Sequence, residues 1–116
     1  MATSKLQMEL PMLQIVDITS QCSISSGTIV YVKYLSEGHL TALWVQVNSI
    51  QFSGQNIWLK LPDTFPATSD FFAPLATAFD GMVCVFRTQN GSGKYLLIQC
   101  STNASLNLTA SGVCMN

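Results

Sequence analysis

Hydrophobic positions in this chain recur with a period of two through most of its length. In the run His39–Val47, Leu43, Val45 and Val47 fall on one side, leaving Trp44 on the other with Ala42 and Gln46. In Gln55–Leu61, Ile57, Leu59 and Leu61 align, leaving Trp58 beside Lys60. Arg87 shares a face with Val83 and Val85 in Met82–Thr88, and Gln99 shares one with Tyr95 and Leu97 in Lys94–Cys100. Ser105–Ala110 alternates cleanly, with Leu106, Leu108 and Ala110 in phase. Successive side chains of a strand point to opposite faces, so this period predicts half-buried strands. Thr28–Leu35 and a short Asn48–Phe52 add two more, rich in β-branched and aromatic residues. Phe71–Phe79 is mixed, and Pro74, which donates to no ladder, predicts an edge or bent strand there.

Turn chemistry separates these runs: Ser36-Glu37-Gly38, Ser53-Gly54, Asp80-Gly81 and Asn90-Gly91-Ser92-Gly93, the last closing a hairpin. No stretch carries a convincing helical period. Together the runs predict an all-β fold, an antiparallel β-sandwich or jelly-roll-like barrel of seven or eight short strands.

Two further features organise the chain. Residues 5–12 alternate strictly until Pro11, giving an extended segment with Leu6, Met8, Leu10 and Met12 on one sticky face. Apolar residues continue to Ile18, and Thr19–Gly27 is a Ser-rich connector. Residues 1–26 therefore read as an extended strand or stalk with its connector, and residues 27–116 as the β-domain proper. A lone strand buries nothing by itself, so the leading one must pair with the body or with another chain. In mid-chain stands Leu61-Pro62-Asp63-Thr64-Phe65-Pro66, where each proline fixes φ, removes a donor and keeps the residue before it out of the helical region. The chain must leave its sheet at this corner, with Leu61 and Phe65 anchoring the crossing.

Composition sharpens the picture. Charged residues make up only 9% of the 116 and hydrophobic ones 48%, against about 25% charged in an average domain. Every apolar run is broken within strand length, far short of a membrane helix, so no membrane insertion is expected. Lys5 and Glu9 interrupt the place where a signal peptide's apolar core would sit. A weakly charged chain with large apolar groups on both faces of its strands is expected to shelter surface against copies of itself. The five basic residues are scattered and the net charge is −1, which argues against a nucleic-acid partner.

Candidate chemistry is sparse. His39 is the one histidine and follows a turn glycine; six acids lie mostly in turns with no pair singled out by spacing. Cys22, Cys84, Cys100 and Cys114 include no CxxC pair, which disfavours a zinc site, and they read as reduced core thiols. No catalytic residue, metal ligand or cofactor site emerges. Binding is what remains. Trp44, Trp58 and Tyr95, set among Asn, Gln and Ser, are the candidates for ligand contact, since an aromatic face stacks on the C–H face of a pyranose while amides bond its hydroxyls. Each is also a candidate for packing or a subunit interface.

The order of signals from Gly27 to Val113 resembles the C-terminal tip of bacteriophage tail fibres and receptor-binding proteins. The residues carrying the resemblance are Gly27-Thr28-Ile29-Val30-Tyr31-Val32-Lys33, Gly38-His39-Leu40-Thr41, the Leu61–Pro66 corner, Phe72-Ala73-Pro74, and Ile98-Gln99 leading to Asn103-Ala104-Ser105-Leu106-Asn107-Leu108-Thr109. Pro66 follows Phe65 directly where the pattern has an intervening residue, and Ala104 stands where glycine is common. The resemblance implies a homotrimeric, non-enzymatic tip at the end of a viral fibre, located on the virion, adhering to a host cell-surface glycan or protein. The alternatives are an extracellular, lectin-like β-sandwich module and a purely structural, self-associating viral protein.

Overall fold

A computed structural model describes residues 14–68, 73–77, 82–89, 93–101 and 103–116, with residues 73–77 and 89 described as backbone only. The expectations placed on residues 5–12, on Phe71 and Phe72, on Asp80-Gly81 and on Asn90-Gly91-Ser92 lie outside these residues.

The described chain is nearly all strand: β1 (Val16–Asp17), β2 (Ser23–Ile24), β3 (Thr28–Glu37), β4 (Leu40–Phe52), β5 (Ile57–Leu61), β6 (Ala73–Thr77), β7 (Met82–Gln89), β8 (Gly93–Cys100) and β9 (Ala104–Met115). Their order is β1-β3-β4-β9-β6-β7-β8-β5-β2, and neighbours run antiparallel. Two sheets result, β1-β3-β4-β9 and β7-β8-β5-β2, joined by β6. The expected antiparallel sandwich is what forms.

β6 is the hinge between the sheets. Ala73, Pro74 and Leu75 pair with β7, whereas Ala76 and Thr77 pair with β9. Pro74 therefore sits in a half-strand laddered to β7, where a missing donor is tolerated. A chain that pairs first with one sheet and then with the other turns the corner of a sandwich.

At the opposite side the leading segment joins the two free edges. β1 pairs with Lys33 and Tyr34 of β3, and β2 pairs with Leu59 and Lys60 of β5. Between them a single 3-10 turn, Thr19–Gln21, steps across. Its polar groups continue the ladder: the Ile18 N–H donates to the Val32 carbonyl at 2.9 Å, and the Thr19 Oγ1 accepts the Val32 N–H at 2.9 Å. The Thr19 hydroxyl in turn donates to the Asp17 carboxylate at 2.6 Å, which also accepts the Thr19 N–H at 2.9 Å. These two bonds hold the Asp17 carboxyl below its ordinary pKa. Ile18 is buried in the core, so the described part of the leading segment is integral to the sandwich.

Two sequence expectations need correction. The runs read as His39–Val47 and Asn48–Phe52 merge into one strand, β4, of 13 residues that starts at Leu40. Ser49 sits at φ 59° where the register with β9 shifts between Val47 and Ile50, and its N–H is held by the Asn107 Oδ1 at 2.9 Å. A bulge of this kind resets the alternation, so one kinked strand reads as two short ones. The Ser-rich connector, likewise, contains the 3-10 turn and β2 rather than plain coil.

The core lies between the sheets. Val32, Leu43, Val45, Val47, Leu108 and Ala110 of the first sheet meet Ile57, Leu59, Phe86, Leu96 and Ile98 of the second. Phe65 of the Leu61–Pro66 corner stands between them. Its ring lies edge-on to Tyr34 at 5.3 Å and tilted against Phe86 at 5.4 Å. The Phe65 N–H bonds the Pro62 carbonyl at 3.0 Å, closing a tight turn, and the Lys94 ammonium donates to the Phe65 and Asp63 carbonyls. The corner thus leaves the second sheet as expected and plugs the space between the two.

All four thiols are free, with Cys84 and Cys114 buried. No helix among the described residues is long and apolar enough to cross a membrane.

Candidate functional site

The inward alternation just described leaves two outward faces, and they differ in chemistry. Across β7, β8 and β5 the register stacks outward side chains in three rows. Lys60, Tyr95 and Arg87 form one row; Trp58, Leu97 and Val85 form the next. The third pairs Val83 with Gln99, and Asn56, one residue before the β5 ladder, completes it. The Gln99 Nε2 donates to the Asn56 Oδ1 at 2.9 Å, which fixes the two amides side by side.

Trp58 and Tyr95 are brought together in this grid. Their rings meet edge-to-face with centroids 5.8 Å apart and planes at 83°, a preferred aromatic geometry. Both are half-buried, so each keeps part of its ring for an outside contact. Beside the amide row a cleft of about 350 Å³ opens, lined by Gly54, Gln55, Asn56, Gln99 and Ser101 with Val83 as its apolar wall. Val83 is 49% exposed.

Trp44, the third candidate, is elsewhere. It is half-buried on the outer face of the first sheet, between Lys33 of β3 and Ser111 of β9. Toward one end of this face an apolar group follows: Ala42, Leu35, Leu40, Val113 and Met115 all point outward by register. Leu40, Val113 and Met115 are 51%, 54% and 56% exposed. A shallow hollow of about 210 Å³ lies among Leu35, Glu37, Leu40, Ala42 and Val113. Beside Trp44, Lys33 sits over the Tyr31 ring at 5.3 Å.

Asn56 and Ser101 escaped the sequence reading, and Val83 is placed there only on the face of Arg87, with no role in a site. Gln99 was placed on the face of Tyr95 but not joined to an amide partner. One signal was available: Asn56 is in phase with Trp58, so the two must share a side of β5.

Among the described residues, conventional reactive groups do not assemble. Among the described residues no three of His, Cys, Asp and Glu gather as a metal site would require. His39 is exposed in the β3–β4 turn, and burial pushes the thiols of Cys84 and Cys114 up to about 12 and about 11, the wrong direction for a nucleophile. No family model, curated protein or solved structure matches this chain. The two outer faces contrast: the first carries an apolar patch around Leu40, Val113 and Met115, and the second is graded from neutral amides through aromatics to cations.

Proposed function

We propose that this chain is the non-enzymatic receptor-binding tip of a viral tail fibre, that it assembles as a trimer, and that it adheres to a glycan or protein on the host cell surface. The observation that carries the reading is the division of labour between the outer faces. Leu35, Leu40, Trp44, Val113 and Met115 make an apolar patch on the first sheet, the kind of surface a domain hides against its own copies. The opposite face keeps Asn56, Gln99, Trp58 and Tyr95 for an outside ligand. The order of motifs around the Leu61–Pro66 corner, which resembles fibre tips, supplies the third strand of support.

The two faces divide the work physically. Apolar burial is non-directional and suits self-association, whereas amides and aromatic edges give geometry-dependent recognition. A trimer built through the first sheet presents three copies of the second. Light scattering at micromolar concentration is expected to give three times the 12.6 kDa chain mass. Adhesion of the labelled chain to a panel of bacterial cells is expected to be selective for some strains. A monomer that adheres to no cell overturns the reading.

A further inference from the structure

We infer that the cleft beside the Asn56–Gln99 pair is a subsite for a neutral pyranose of a surface polysaccharide. The inference rests on the adhesive reading above and names the chemistry of its ligand.

Hydrogen-bonding capacity is the first argument. The bond from Gln99 Nε2 to Asn56 Oδ1 orients both amides. It leaves the Asn56 Nδ2 donors and the Gln99 Oε1 acceptor for a ligand. A sugar hydroxyl donates and accepts at once, and a neighbouring pair of hydroxyls on a ring repeats that capacity a short distance away. Adjacent donor and acceptor amides match such a pair. A carboxylate or phosphate, which only accepts, would use the donors and be repelled by the acceptor. Ser101, also in the lining, adds a hydroxyl of the same dual character.

Charge gives the second argument. The described side chains that line the cleft are uncharged. The cations of this face, Lys60 and Arg87, stand two rows away along their strands. Four residues of strand span about 13 Å, beyond the ~8 Å over which salt leaves charges effective at physiological ionic strength. A ligand group seated between the amides is therefore selected for neutrality.

Shape gives the third. About 350 Å³ lies at the small end of ligand-binding clefts and suits one sugar unit rather than a folded peptide. An extended peptide would instead seek a sheet edge, where main-chain groups are unpaired. Val83, opposite Gln99 and half-exposed, offers the apolar wall for the C–H face of the ring. Trp58, half-buried in the adjoining row, continues that apolar strip toward the next unit of a chain. An open, shallow subsite binds one sugar weakly. Three copies on a trimer would convert weak single contacts into useful avidity.

The test uses the full chain labelled with 15N, titrated with the methyl glycosides of glucose, galactose, mannose and N-acetylglucosamine, and with sialyllactose as the anionic probe. At least one neutral glycoside is expected to shift the side-chain amide signals of Asn56 and Gln99 with a millimolar Kd. The Asn56→Ala/Gln99→Ala double variant should weaken that binding at least tenfold while leaving the signals of the Trp44 face in place. Val83→Lys, which fills the apolar wall with a charged side chain, should do the same. Preference for sialyllactose at this cleft overturns the inference. So does the absence of any neutral shift there in a chain that still adheres to cells, which leaves the adhesive reading standing. Neutral binding at the cleft without adhesion to any cell upholds the subsite and sinks the fibre reading instead.

Discussion

Phe65 meets Tyr34 edge-on, with ring centroids 5.3 Å apart and planes at 84°. Tyr34 belongs to β3 and Phe65 to a corner that leaves β5, so this contact ties a loop to the sheet opposite the one it came from. Phe86, at 5.4 Å on the other side, completes the clamp. Phe65→Ala is expected to lower stability by about 3–5 kcal/mol, the cost of emptying a filled aromatic site, read as a fall in the urea midpoint at unchanged slope. Lys94→Met, which removes the donor to the Phe65 and Asp63 carbonyls but keeps most of the stem, should cost less. Equal losses for the two would show that carbonyl capping, not the buried ring, holds the corner.

Gly27 is a point where backbone and packing combine. It has φ +98°, and a Cβ there would lie 2.9 Å from the Asn48 carbonyl oxygen, 3.0 Å from Ile50 Cγ1 and 3.1 Å from Val47 Cγ1. The obstructing atoms include backbone of the bulged stretch of β4, which has little room to yield. Gly27→Ala should therefore cost about 2–4 kcal/mol, strain and overpacking together. Gly38 is a control, because at φ +59° its Cβ would meet nothing within 4 Å. Gly38→Asn is expected to be within about 0.5 kcal/mol of the parent, since asparagine tolerates the left-handed region. Thermal melts of the two variants compare them directly; similar losses would remove the close approach at Gly27 as the cause.

Much of the fold was legible because burial in a sandwich obeys a local rule. The alternation of Leu43, Val45 and Val47, and of Ile57, Leu59 and Leu61, needs only one chain segment to be read, and every one of these residues is buried. Ser49 defeated the same rule: its bulge shifts the phase by an amount no propensity encodes. β2 was missed because two residues, Ser23 and Ile24, carry no period at all; their pairing with Lys60 and Leu59 is made by the tertiary structure. The candidate site was half legible for the same reason. Trp58 and Tyr95 could each be placed on a polar-marked face, but their meeting depends on the cross-strand register of β5 with β8, which is non-local. Asn56 and Gln99 became a pair by that register alone.

The thiols make stability depend on alkaline pH. Burial raises Cys22 and Cys114 to about 11 and Cys84 to about 12 from an ordinary 9.0. Each folded-state value lies above its unfolded one, so the stabilisation is complete below pH 9. It is lost progressively as pH climbs to about 11–12, because the unfolded chain releases its protons first. The urea midpoint should accordingly fall as pH rises above 9. A Cys22→Ala/Cys84→Ala/Cys114→Ala variant should show a shallower fall over the same interval, whatever its absolute stability. Identical pH profiles for variant and parent would remove these thiols as the cause. At pH 8 the buried Cys84 and Cys114 should react with a disulfide reagent far more slowly than in denaturant.

In the proposed trimer, the apolar patch on the outer face of the first sheet is the element on which assembly turns. Leu40, Val113 and Met115 each leave about half of their surface in water, so covering one adds about 1 kcal/mol, half of a full side-chain burial. Val113→Asp would instead put a carboxylate into the proposed contact between copies, across the hollow from Glu37. An unpaired charge buried in an interface costs more than several such apolar contacts contribute. The variant is therefore expected to run as a folded monomer by light scattering, with its circular dichroism unchanged. Gln51→Asp, an exposed position on β4 away from this patch, should leave the trimer intact. If Val113→Asp stays trimeric, the copies meet elsewhere; if dissociation accompanies both changes, net charge rather than this patch governs assembly.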